Sequence, residues 1–145
     1  KYEVGKSRPV AIKLDSTGQV EWEKEFRKKG FLDHEGGSAV ESDGGFIIYV
    51  QSYVHPAGGN AARLLKLDAK GEVVWERQLR GNGGPKTPHP QTFKLTKKGS
   101  IVMSGHIYLD KREYEYAWDG EVDKNGKLVA DKVGKGDPYN LRKKK

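Results

Sequence analysis

AIKLDSTGQVEWEKEF, residues Ala11–Phe26, returns as LLKLDAKGEVVWERQL, residues Leu64–Leu79. A fainter third copy reads DGEVDKNGKLVADKV, residues Asp119–Val133. Asp15, Asp68 and Asp123 align, as do Gly18, Gly71 and Gly126, at spacings of 53 and 55 residues. Trp22 and Trp75 correspond, and Ala130 takes their place in the third copy. A second segment repeats between them: SAVESDGGFIIYVQSY (Ser38–Tyr53) matches TFKLTKKGSIVMSGHI (Thr92–Ile107) at an offset of 54. Two interleaved segments sharing one spacing mark a repeat architecture.

Each segment reads as a β-hairpin. Val20, Trp22 and Phe26 alternate onto one face, with Lys24 the polar exception; Val73, Trp75 and Leu79 repeat this with Arg77. Between the strands, Asp caps backbone N–H groups and Gly takes the positive φ of a bulged turn. Calcium ligation is the rival role for these aspartates, but no turn clusters three ligating side chains. Strands are expected at 9–14, 19–26, 38–42, 45–53, 63–68, 72–79, 91–96, 100–108, 117–123 and 127–133. The fold class is therefore all-β: antiparallel four-stranded blade-like repeats, about two and a half blades of an incomplete β-propeller. Residues 1–145 form one domain, with a half-blade at 9–26, blades at 38–79 and 91–133, and a tail from 134.

The combination DGGFIIYVQSY…LLKLDAKGEVVWERQL resembles the bacterial β-propeller repeats of secreted and surface proteins. Their signature is a DGG-φ strand followed by KLD-x-x-G-x-φ-x-W, and the likeness runs from Ala11 to about Val133. It also resembles the quinoprotein-type repeat with its tryptophan-docking motif, except that the turn from Asp15 to Trp22 is one residue shorter. The resemblance implies a propeller-like fold and no quinone or other cofactor.

Composition narrows the function classes. The chain has 145 residues, enough to bury roughly 68% of its unfolded surface. It has no Cys, which removes disulfides, zinc–thiolate sites and thiol nucleophiles. The net charge of +7 comes from 27 Lys and Arg against 20 Asp and Glu, partly from Arg142–Lys145. Acids are interspersed with bases and no nucleic-acid-reading motif is present, so no nucleic-acid partner is expected. No apolar run is long enough for a transmembrane segment. The first residue is Lys1, consistent with a removed signal peptide and a periplasmic or secreted location.

Two and a half blades leave open sheet edges, which invite strand addition. A fragment of a longer propeller, an open stack with 2–5 and 136–142 over its edges, and a homodimer through those edges are the alternatives, the dimer slightly ahead. Connections sort by length. Tight turns occupy one rim, and segments 27–37, 54–62, 80–90 and 109–116 occupy the other, where binding residues concentrate. The candidate partner-binding set on that rim is Asp33, His34, Glu35, His55, Arg80, Lys86, His89, Asp110, Lys111, Arg112 and Tyr114.

No metal is assigned, since His34, His55 and His89 have no local chelate spacing. Ser104 and His106 share a strand face without a third partner, so strand packing is their expected role. With no catalytic motif, the expected function is a non-enzymatic protein-binding module. An inhibitor or immunity-type protein that blocks a partner enzyme, such as an effector hydrolase acting on the cell wall, fits best. The alternative is a carbohydrate-binding or adhesive segment using Tyr53, Tyr108, Tyr114, Tyr116 and Trp118.

Overall fold

The computed structural model describes residues 8–42, 44–54, 60–79, 87–108 and 115–134, with side chains except at 32–42, 54, 60, 108 and 115. All regular structure is strand: β1 (Val10–Leu14), β2 (Val20–Glu25), β3 (Phe31–Ser42), β4 (Gly45–Val54), β5 (Asn60–Leu67), β6 (Val73–Leu79), β7 (Pro88–Leu95), β8 (Ile101–Tyr108), β9 (Glu115–Val122) and β10 (Leu128–Val133). They form a two-stranded first sheet, β1–β2, a second sheet ordered β3-β4-β5-β6, and a third ordered β10-β9-β8-β7. Every pairing is antiparallel. No sheet closes on itself, so the described residues give an all-β antiparallel fold rather than a complete propeller.

The aspartate turns explain why the hairpins form. Asp15 Oδ1 accepts from the backbone N–H of Thr17 and Gln19, at 2.8 and 2.9 Å. Asp68 does the same for Lys70 and Glu72, and Asp123 for Asn125 and Lys127. The glycine that closes each turn has φ of 86° at Gly18, 80° at Gly71 and 79° at Gly126, a region that excludes most side chains.

Three details differ from the sequence reading. First, the strands run into the expected long connections: β3 begins at Phe31 and β7 at Pro88, which shortens those connections to 26–30, 55–59, 80–87 and 109–114. Second, the β4 and β8 repeats align at 55 rather than 54, because their positive-φ glycines are Gly44 and Gly99. A one-residue slip exchanges the two faces of a strand, so the correction decides what each residue touches. Third, Val20 and Val73 are exposed, because a bulge follows Lys13 and another follows Lys66.

With that register the sheets stack in chain order. Phe46, Ile48, Leu65 and Leu67 of the second sheet meet Ala11, Trp22 and Phe26 of the first. Its other face presents Ile47, Tyr49, Ala62 and Leu64 to Ile101, Met103, Trp118 and Val122 of the third. Both faces of β4 are covered, and its sequence is accordingly a near-continuous apolar run. Each large buried aliphatic contributes about 2 kcal/mol.

Tryptophan staples join neighbouring sheets. Trp22 Nε1–H donates to Ala69 O at 3.0 Å, and Trp75 Nε1–H donates to Lys124 O at 3.1 Å. The indole lies flat on the glycine of the turn it reaches: a Cβ on Gly71 would stand 3.1 Å from Trp22, and one on Gly126 2.9 Å from Trp75. Two residues on, the cation joins in. Lys24 packs on Gly71 and pairs with Glu72, while Arg77 donates to Gly126 O. Lys24 is thus part of the joint rather than an exception to a buried row.

Replacing Trp75 by Ala should lower the unfolding free energy by about 3 kcal/mol, removing ring and bond together. Trp75→Phe should cost only about 1 kcal/mol, because it retains most of the packing and loses the N–H bond. Urea denaturation followed by circular dichroism measures both.

Candidate functional site

Two regions compete as functional surfaces. One is the rim carrying connections 26–30, 55–59, 80–87 and 109–114; the other is the outer face of the first sheet.

On the rim, His89 of β7 sits opposite His106 of β8 in register. Their rings stack with centroids 5.0 Å apart and planes 5° from parallel. Gln51 of β4 brings its Nε2 within 2.9 Å of His89 Nδ1. With the amide N–H donating, Nδ1 is the acceptor in this bond. This bond crosses from the second sheet to the third at the base of the connections. Sequence spacing had separated His106 from the rim; strand register brings it to His89.

The other candidates divide plainly. Asp33, His34 and Glu35 fall in β3 rather than in a loop, since the strand starts at Phe31, and their side chains lie outside the described set. His55, Arg80, Lys86, Asp110, Lys111, Arg112 and Tyr114 lie outside the described residues. Among the described side chains, His89 of the set meets Gln51 and His106, which sequence reasoning had not assigned to it.

Hydrogen bonds and ring stacking hold this cluster and its neighbours. Ser104 Oγ is 2.6 Å from Thr92 Oγ1, and its strand neighbour His106 is stacked on His89. Trp118 is buried, with its Nε1–H donated to Asp131 at 2.7 Å, and Tyr116 packs against the same core. No group of three or more His, Asp or Glu is placed to hold a metal among the described residues. Arg63 is 1% exposed between the first and second sheets. Its guanidinium meets Ser52 Oγ at 3.2 Å, Glu76 at 3.5 Å and the Phe31 ring at 5.2 Å, so the buried charge is compensated.

The first sheet presents a different surface. Its inner row is Ala11, Lys13, Trp22 and Lys24, while Val10, Ile12 and Leu14 point outward beside Glu23 and Glu25. Ile12 and Leu14 are each 54% exposed. Beside β1 a cleft of 400 Å³ opens against Trp22, Phe46, Ile48 and Leu67.

The turn below this face has one electrostatic feature. The hydrogen bond from the Thr17 side chain, then the backbone N–H groups of Gln19 and Thr17, hold the Asp15 carboxyl below its ordinary pKa of 3.8. No helix among the described residues is long and apolar enough to cross a membrane.

No family model and no curated protein matches the chain. Among solved structures the chain is similar to a protein of unknown function from Bacteroides caccae, at 12% identity and a TM-score of 0.32. The match covers 90% of this chain and 59% of that one.

Because the folded-state pKa of Asp15 is depressed, its charged form stabilises the hairpin. That contribution is complete above 3.8 and is lost as pH falls through the lower folded-state value. Asp15→Asn should be less stable than the parent at neutral pH, and the gap should narrow on acidification below 3.8. Thermal melts across that pH range measure it.

Proposed function

We propose that the chain is a non-enzymatic protein-binding module. The specific form favoured is a small periplasmic or secreted inhibitor, of the immunity type, that blocks a partner enzyme such as a cell-wall hydrolase through one rim. The observation that carries the reading is the contrast between the two rims. Hairpin turns on one are held by Asp–backbone bonds and left-handed glycines. The other rim carries the longer connections, two between sheets and two within a sheet, with the Gln51–His89–His106 cluster at the strand ends nearby. Loops carried on a sheet scaffold suit partner recognition.

The state of the aromatics favours a protein partner over a saccharide. Sugar stacking needs an open aromatic face, whereas among the described residues Trp22 and Trp75 cover glycine turns and Trp118 is buried; the side chains of Tyr108 and Tyr114 lie outside the described set.

The test is a peptidoglycan-clearing assay with a panel of muramidases and amidases in the presence of the purified chain. The reading expects dose-dependent slowing of at least one of these enzymes. Arg112→Ala or Lys111→Ala should weaken that slowing about tenfold, as loss of an interface anchor does. Undiminished clearing by every enzyme, together with retention of the chain on immobilised glycan, would replace it with the carbohydrate-binding alternative.

A further inference from the structure

The repeat contains three aspartate turns, and the described residues occupy two of them. Trp22 docks on Gly71 and Trp75 docks on Gly126, but among the described residues nothing stands within 4 Å of a Cβ placed on Gly18. In every other respect the Asp15–Gly18 turn is ready. Asp15 caps it as Asp68 and Asp123 cap theirs, the glycine φ agrees within a few degrees, and Ser16 occupies the place of the acceptors Ala69 and Lys124.

The face above that turn tells the same story. Ile12 and Leu14 correspond to Leu65 and Leu67 of the second sheet, which are 2% and 0% exposed because the first sheet covers them. Ile12 and Leu14 have no described sheet over them. Bonds from Phe26 N to Pro9 O and from Asp15 N to Gln19 O make odd-numbered residues the bonded ones of β1. The N–H and C=O groups of Val10, Ile12 and Leu14 therefore face the edge of β1 that pairs with no other described strand. The cleft of 400 Å³ lies along that edge.

The opposite end of the stack is finished. The outer face of the third sheet carries Ser104 where the second sheet has Tyr49, Asp119 where it has Leu64, and Ala130 where it has Trp75. Polar residues stand at two of these places, Val102 keeps the apolar character of Ile47, and the staple is missing. A second copy of this chain thus has no indole to offer: its three tryptophans are Trp22, Trp75 and Trp118, each with its N–H already donated.

We propose that the first sheet is a docking surface for a further β-repeat unit that is not a copy of this chain. This partner is recognised by a strand bearing Trp-x-Lys or Trp-x-Arg, whose indole lies on Gly18 and donates to Ser16 O. A strand of the same unit pairs with β1 and fills the cleft. The two filled joints define the chemistry: an indole on glycine, an N–H to the turn carbonyl, and a cation two residues on that reaches the turn. This surface is independent of the rim proposed for enzyme inhibition.

The test extends the full chain by a second copy of residues 8–60 placed immediately before Arg8. The added β3 and β4 then adjoin β1, and the added Trp22 falls in register with the Asp15–Gly18 turn. Amide hydrogen exchange should slow on the order of tenfold at Ile12 and Leu14 as they enter the protected core. Trp22→Ala in the added copy alone should remove much of that gain at the turn. A folded extension that leaves exchange at Ile12, Leu14 and Gly18 unchanged overturns the proposal. So does a stable dimer of the unextended chain that protects the same amides, because the second copy would then be the occupant.

Should the extended chain fail to fold, the variant Ser104→Tyr, Asp119→Leu, Ala130→Trp gives the third sheet the second sheet's residues. It should self-associate head to tail in sedimentation, and Gly18→Ala should reverse this. A folded variant that stays monomeric at all concentrations counts against the proposal.

Discussion

An indole lying on a glycine turn is the interaction on which the rest of this structure depends. Each sheet alone is a small antiparallel ribbon with an apolar face, and such ribbons are marginal in water. What converts them into one body is burial of those faces against each other, and Trp22 and Trp75 set the spacing and angle at which that occurs. The aspartate cap holds the turn in shape, the left-handed glycine keeps its surface bare, and the strand register places the tryptophan above it. The ion pairs Lys24–Glu72 and Lys28–Glu76 add orientation more than energy, since they are exposed to solvent.

Much of this was legible in the sequence for a physical reason. Hairpins are local, so their turn residues and alternation are written within a few positions of each other. Asp15, Gly18 and Trp22 mark both the turn and the repeat in the sequence itself. Relations between sheets were harder to read. Both faces of β4 are buried, so Ile47 and Ile48 look alike, and the repeat was aligned one residue out until Gly44 and Gly99 marked the true register. Trp22 and Trp75 were assigned to one face of their own strands; that they reach carbonyls 47 and 49 residues away is a long-range fact no alternation encodes.

The candidate rim was less legible still. Its residues were chosen by loop membership, and strand extension moved Asp33, His34, Glu35 and His89 into β3 and β7. The signal that would have found the His89–His106 pair is cross-strand register, which follows only once the β7–β8 pairing is known. The asymmetry of the two ends was present in the sequence throughout. Leu64 against Asp119 and Trp75 against Ala130 are single-residue differences between aligned repeats, and they acquire meaning only when the faces are assigned.

The central claim is that tryptophan docking, rather than turn geometry alone, holds the sheets together. Comparing Gly126→Ala with Gly18→Ala by urea denaturation tests it directly. Both substitutions place a side chain at positive φ and share that cost, on the order of 1–2 kcal/mol. Only at Gly126 does the new methyl also meet Trp75. The account predicts a further loss of about 1–3 kcal/mol at Gly126, the cost of overpacking a filled contact. Equal losses at the two positions would contradict it.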